Sequence, residues 1–479
     1  MLVPVSLCIG TLIIICITHW VYRWRNPRCN GKLPPGSMGF PFIGETHRFF
    51  TPTTSSDIPP FMKERMERYG PVFKTSLVRQ SFIVSTDREV NHMIMSHQEG
   101  QSFEFWYPET VKTILGQASL LTLNGSIHRY IWNMVLSLVG PESLKQKLLP
   151  HIVHGVKRNL LLWGNQDTVD LKEAVSKMIF ELTARKLISY EYDPTKPSEN
   201  LRECFAAFNE GLISFPLDIP GTAYHKCLQG RKHAMKILKA MLQERRKIPK
   251  SCPEDFFDHV LDELKNEGTK LTEAIGLDLM FLLLFASLKT TSISTTFANK
   301  LLTENPAVLE ELTEEKHDAI IRSRKNEDAQ LTWKEYKSTK FTIKVINESV
   351  RLANIVPGVF RKALKDVHIK GYTIPAGWAV MLCIPSVHLN PSEYKDPLEF
   401  NPHRWDGVEL NGGTKDFMAF GAGQRFCVGT DFAKLQMAVF LHFLVTKYKW
   451  KTIKGGDITR IPGVTFPNGF HIKISEKNT

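Results

Sequence analysis

Residues 418–430 read MAFGAGQRFCVGT, and no other stretch restricts this chain as tightly. One cysteine, Cys427, sits among Gly421, Gly423 and Gly429, with Phe420 seven residues before it and Arg425 two before it. Glycines let the backbone turn sharply and approach another group closely. A thiolate acts as a nucleophile or as a metal ligand. A nucleophile needs a base, and no histidine flanks this loop. A ligand needs backbone N–H donors and room, which a glycine-rich turn supplies. Arg425 adds a positive charge suited to an anionic cofactor edge. The other seven cysteines form no C-x-x-C pair, so neither a zinc ribbon nor a disulfide scaffold is indicated, and the body fits a reducing compartment.

The 479 residues carry a net charge of +12, which points to an anionic partner such as a membrane surface or an acidic protein. No basic block interleaves with aromatics, so nucleic acid is not expected. The first residues, LVPVSLCIGTLIIICITHWVY, are apolar to about Ile17, with Trp20 and Tyr22 next, then Arg23, Arg25, Arg28 and Lys32. Apolar length, interfacial aromatics and basic residues after the span fit an uncleaved transmembrane anchor over 1–22 with the body kept cytosolic. A signal peptide would carry its charge before the apolar core. A basic, Pro-rich hinge follows over 23–45, where Pro34 and Pro35 bar a helix. Residues 46–479 read as one catalytic body, mainly α with small β-sheets. Strand patterns at Val72 to Leu77 and Ser81 to Thr86 predict a hairpin, and HIKGYTIPAGWAVML predicts a second small sheet.

A helix is expected from about Thr272 to Leu302, long enough to span a domain. It is apolar on all faces from Leu279 to Leu288, so a buried core helix is the better reading than a membrane span. Its Thr290 and Thr291 are hydroxyls in an apolar setting, which bond back to carbonyls one turn earlier unless they serve chemistry. Glu348 and Arg351, at i and i+3, share a helix face, and Arg404 offers a second guanidinium to the same carboxylate. A lone thiolate with no sibling suits a single axial ligand, as in haem-thiolate proteins.

Phe420, Gly423, Arg425, Cys427 and Gly429 in F-x-x-G-x-R-x-C-x-G, together with Glu348-x-x-Arg351 and the later Pro402/Arg404, resemble the cytochrome P-450 family over essentially the whole chain. The resemblance implies that family's fold, a long central helix over the haem, and a cofactor of haem b (iron protoporphyrin IX) ligated by Cys427. It assigns the propionates to Arg425 and Arg361, with His128 as a third contact and Trp132 where a basic residue is usual. Phe420, Gly421, Gly423, Gly429 and Ala286 would pack on the haem. Ser287, Thr290 and Thr291 would guide protons during oxygen activation. Lys289 stands where an acid is usual and is read as facing solvent or pairing with an acid. Glu348, Arg351 and Arg404 would form a buried structural triad.

The resemblance further implies hydroxylation with O2 and NADPH electrons from a separate acidic NADPH-cytochrome P-450 reductase, with Lys415, Arg425 and Lys434 as docking candidates, at the endoplasmic reticulum membrane. FPLDIPGTAYHKCLQGRK, KALKDVHIKGYTIPAGW and FNPHRW resemble plant members acting on steroids, gibberellin precursors and triterpenes. FASLKTTS and NGSIHRYIWNMVLSLVG are most similar to cucurbitadienol 11-oxidase types of gourd-family plants, which implies oxidation of cucurbitadienol at C-11, on to the ketone in some cases. Another sterol, triterpene or diterpenoid hormone precursor is the alternative. A non-oxidative haem-thiolate isomerase and a steroid-binding protein are further alternatives; Thr290 and the intact cysteine loop argue against the isomerase. Substrate contacts are expected at Phe103, Phe105, Trp106, Phe215, Phe281, Phe285, Val356, Val359 and Phe466, an apolar set suited to a rigid hydrocarbon.

Overall fold

The structure, a computed structural model, describes residues 2–96, 99–212, 214–248, 254–323, 331–409 and 413–477, with the backbone alone for 2–8 and 316–323. Met1 of the expected anchor and Cys252 lie outside the described residues.

The central helix runs Glu273–Glu304, 32 residues or about 48 Å. Thr272 caps it by accepting from the Ile275 N–H, and Asn305-Pro306 ends it. By length and composition it would pass for a membrane span, but most of it is buried. Its two halves serve two cores. Leu279, Phe281 and Leu284 pack with Phe205, Phe208 and Leu238 of the helices Leu201–Gly211 and Ala223–Lys247. Phe297, Ala298 and Leu302 pack with Val175 and Met178 of Leu171–Ile188 and with Phe440 and Leu441 of Thr430–Lys447. A helix uniform around its circumference can be buried on every side.

Five strands form the main sheet in the spatial order Val72–Leu77, Gln80–Ser85, Ala379–Cys383, Gly358–Ala363, Phe103–Phe105. The hairpin matches the sequence expectation, displaced by one residue in its second strand. Val78 and Arg79 turn it with φ of 49° and 65°, the positive values a two-residue turn requires. The junction of Phe82 with Ala379 is parallel and joins strands about 300 residues apart, a pairing no local pattern encodes. The expected second sheet divides: Val367–Ile369 pairs with Tyr372–Ile374, while Ala379–Cys383 joins the main sheet.

At the N-terminus, Leu2–Arg25 is a single helix that runs past residue 22, with exposed side chains from Leu12 to Ile17. Trp20 rests on Phe42 at 5.1 Å. The Pro/Gly segment after it is bonded to the body: Lys74 N–H donates to the Pro35 carbonyl at 2.8 Å, and Thr373 N–H to that of Lys32 at 2.7 Å.

Candidate active site

The cysteine loop is shaped by its own backbone. Cys427 N–H donates to the Phe420 carbonyl at 2.9 Å, Phe426 N–H to that of Gly423 at 3.0 Å, and the Thr430 hydroxyl to that of Cys427 at 2.8 Å. The three glycines have different jobs. Gly423 has φ 66°, and a Cβ there would lie 2.4 Å from the Met95 carbonyl oxygen, so it serves docking of the loop on the helix Arg88–Ser96. Gly421 has φ 78° with its nearest neighbour at 3.5 Å, and only Gly429 sits beside the thiol, its Cβ position 3.9 Å from Sγ. Close approach to a cofactor was expected of all three; of them, Gly429 is the one with the thiol sulfur as its nearest neighbour. Burial pushes the Cys427 thiol up, while Gly429 N–H and the Thr430 hydroxyl pull it down.

Cys427 is enclosed by protein and yet keeps accessible surface. Those observations agree only if it faces an internal space. On the central helix Ala286 and Thr290, one turn apart, are exposed between the buried Leu284, Leu288 and Thr291. Val428, next to the cysteine, packs against the cluster that holds Leu284 and Leu288. The thiol and the Ala286/Thr290 face thus belong to one region. Thr290 donates to the Ala286 carbonyl at 2.7 Å and Ser287 to that of Leu284 at 3.1 Å. Back-bonding therefore holds the Thr290 hydroxyl in place and leaves its lone pairs turned to the open side.

Beside the thiol lies a cationic edge. Arg361 is buried and donates only to the Phe360 carbonyl, with no carboxylate partner among the described residues; burial, aided by Arg425, pushes it down to about 10. Arg425 is differently placed: Glu99 takes its Nη2 at 2.6 Å and Nε at 3.2 Å, and Asn124 Oδ1 and the Leu123 carbonyl take Nη2 as well. Burial raises the Glu99 carboxyl, but Arg425 outweighs it and holds it below the usual range. Burial, with Arg425, brings His128 down to about 4, so it is neutral. Trp132 packs by the loop and donates to the Phe426 carbonyl at 3.4 Å. A buried guanidinium whose neighbouring carboxylate, Glu99, already serves Arg425 demands a further anion, and the Cys427 thiol opens on interior space where it would serve as a ligand. A haem, with an iron for sulfur and carboxylates for Arg361, fits both demands. Cys427 would hold the iron, and Arg361, with the remaining donors of Arg425 and His128, the propionates.

The triad forms as expected. Glu348 accepts from Arg351 Nε at 2.9 Å and Nη2 at 2.7 Å, from Arg404 Nε at 3.2 Å and from the Trp405 indole at 3.0 Å. Arg351 extends it to the His388 carbonyl at 2.5 Å. His388, fully enclosed, accepts from Met418 N–H at 3.0 Å through Nε2, so Nδ1 carries the proton toward Asn354 Oδ1 at 2.9 Å. That chain ties the triad helix to the start of the cysteine loop.

The expected substrate contacts scatter. Val356 is 45% exposed and Phe285 half-buried on Phe208. Trp106 and Val359 are half-buried. Phe105 lies under two guanidiniums, Arg361 at 5.0 Å and Arg425 at 4.7 Å. Phe281 and Phe466 are packed in the core, Phe281 against Phe205 at 4.9 Å and Phe466 on Phe470 at 6.4 Å, while Phe103, also buried, borders a small cavity with Glu99, Arg361 and Arg425. Phe215 is 71% exposed on the loop between Leu201–Gly211 and Ala223–Lys247. Two further expectations change. Lys289 pairs with no acid among the described residues; it is half-buried near Cys227, and burial pushes its amine down. Of the docking cations, Lys415 is exposed and paired with Glu89 at 2.7 Å, Lys434 is enclosed over the Phe420 ring, and Arg425 is interior. Sequence reasoning missed Glu99 and Tyr107.

A family profile described as Cytochrome P450 matches residues 34–473. Cytochrome P450 87A3 of Oryza sativa subsp. japonica is 56% identical, covering 98% of this chain and 91% of its own. Cucurbitadienol 11-hydroxylase of Siraitia grosvenorii is 40% identical, covering 99% of each. Among solved structures, a retinoic acid bound cyanobacterial CYP120A1 superposes with a TM-score of 0.83 at 26% identity, covering 94% of this chain and all of that one.

Proposed function

Because the chain belongs to the cytochrome P450 family and is a haem-thiolate monooxygenase of its plant triterpenoid branch, we propose that it hydroxylates a tetracyclic triterpene or sterol, with cucurbitadienol at C-11 as the first substrate to try. The observation that carries this reading is the accessible Cys427 thiol in one region with the Ala286/Thr290 face and the half-buried, apolar Phe285 beside it. Support for the substrate class comes from the full-length likeness to a hydroxylase of cucurbitadienol.

Haem b, when bound, supplies the centre at which one oxygen atom of O2 enters a C–H bond and the other leaves as water, with two electrons from NADPH through a reductase. The chain's residues do the rest. Cys427 would supply the sulfur ligand, its charge steadied by the Gly429 N–H. Thr290, its proton given to the Ala286 carbonyl, turns hydroxyl lone pairs to the open side, where they accept from a proton-carrying donor. The apolar wall excludes water and orients a hydrocarbon by shape. Leu2–Arg25 would anchor the enzyme as a single pass in the endoplasmic reticulum membrane, with the catalytic body in the cytosol.

Co-expression in yeast with a plant reductase and a panel of triterpene cyclases tests the proposal. Cucurbitadienol is expected to gain one oxygen, and the reduced-CO spectrum to show a thiolate-type Soret band that Cys427→Ser abolishes. Conversion of none of the cyclase products, with that band intact, would overturn the substrate class.

A further inference from the structure

Phe105 stands opposite Arg361 in the antiparallel pair of Phe103–Phe105 with Gly358–Ala363. Two residues on, just past the end of that strand, is Tyr107. Its ring meets Phe105 edge-on at 5.2 Å and Phe360 at 5.8 Å. Both guanidiniums of the cationic edge lie over Phe105, so the phenol is one ring away from each. Tyr107 is enclosed by protein but retains accessible surface, and its hydroxyl has no hydrogen-bond partner among the described residues. The phenol therefore has a free donor that a bound group can meet. Burial raises its pKa, while Arg361 and Arg425 pull it back, so it is a protonated donor within the field of both.

The neighbours show what it lacks. Arg425 already has a carboxylate in Glu99, Arg361 has none within bonding distance among the described residues and only feels Glu99 from farther off, and His128 is neutral and weakly placed to balance a charge. We propose that the Tyr107 hydroxyl donates to a haem propionate beside Arg361, so that a tyrosine and an arginine share the carboxylate. This rests on the haem-thiolate reading above. It gives the chain a propionate donor in compensation for Trp132, which has one N–H and spends it on Phe426.

Tyr107→Phe removes the hydroxyl and keeps the ring. In the purified holoenzyme, haem transfer to excess apomyoglobin is expected to quicken about tenfold, equal to about 1.4 kcal/mol. The propionate bending band in the resonance Raman spectrum is expected to shift, which a looser fold alone would not produce, and the type I substrate-binding constant to stay within about twofold of wild type. Transfer within about twofold of wild type and an unmoved Raman band would overturn the inference. So would a tenfold weaker substrate affinity with unchanged haem transfer, which would assign the hydroxyl to substrate. A wild-type protein with no haem at all would sink the haem-thiolate reading instead.

Discussion

Glu348→Gln is the most searching perturbation of the scaffold that holds the thiol. The carboxylate receives five donors: two from Arg351, one each from Arg404 and the Trp405 indole, and the Asn401 N–H at 3.3 Å. Both Glu348 and Arg351 have no exposed side-chain surface. Glutamine keeps one oxygen but turns an NH2 toward groups that only donate, and it leaves the Arg351 charge without a counter-ion. Breaking one partner of a buried pair costs about 3–5 kcal/mol. Unfolding entropy near 2.1 cal/mol/K per residue gives a chain of this size roughly 1 kcal/mol/K, so the expected fall in melting temperature is about 3–5 °C. The second consequence is local. Arg351 holds the His388 carbonyl, and His388 holds the Met418 N–H at the mouth of the cysteine loop. The haem-to-protein ratio is therefore expected to fall further than stability alone would require. Differential scanning fluorimetry together with the reduced-CO spectrum is the assay. A variant that melts within about 1 °C of wild type with full haem content would refute the claim that this carboxylate supports the loop.

The glycines of that loop should separate. Gly423→Ala, at φ 66° with the Met95 carbonyl in the way, is expected to cost more than the roughly 1–2 kcal/mol of a left-handed residue and to yield little haem protein, whereas Gly429→Ala should fold; equal yields on purification would contradict the geometry. Acid should expose His388. Burial, with Arg351 beside it, brings it down to about 3 from 6.5, so its full contribution is present above pH 6.5 and is lost as pH falls toward 3, because the unfolded chain binds the proton first. His388→Gln is accordingly expected to be less stable at pH 8 but to lose stability less steeply between pH 6.5 and 4, measured by urea unfolding. Lys289→Glu replaces a half-buried amine with an acid that burial will keep partly protonated. Product formed per NADPH consumed is expected to hold or rise; a large loss of product with the haem spectrum intact would give Lys289 an active role.

Much of this enzyme was written locally. The cysteine loop, the i, i+3 pair of Glu348 and Arg351, the hairpin turn and the long buried helix each depend on neighbours within a few residues, so spacing and residue type were enough to find them. A glycine-rich turn, an ion pair and an apolar helix each need a fixed local pattern. What spacing could not reach were contacts between distant segments. Gly423 owes its identity to Met95. Glu99 meets Arg425 from more than 300 residues away. Tyr107 acquires its two arginines only when the strand Phe103–Phe105 is laid beside Gly358–Ala363. Whether Phe281 and Phe466 sit in the core or on an open wall, and whether Lys289 finds water or protein, are equally undetermined by a hydrophobic pattern, which reports that a side chain is buried and not against what. The sequence by itself determined which chemistry the chain carries and where its helices run; the tertiary structure decided which charges are left without partners, because desolvation and pairing depend on every segment that arrives at the same place.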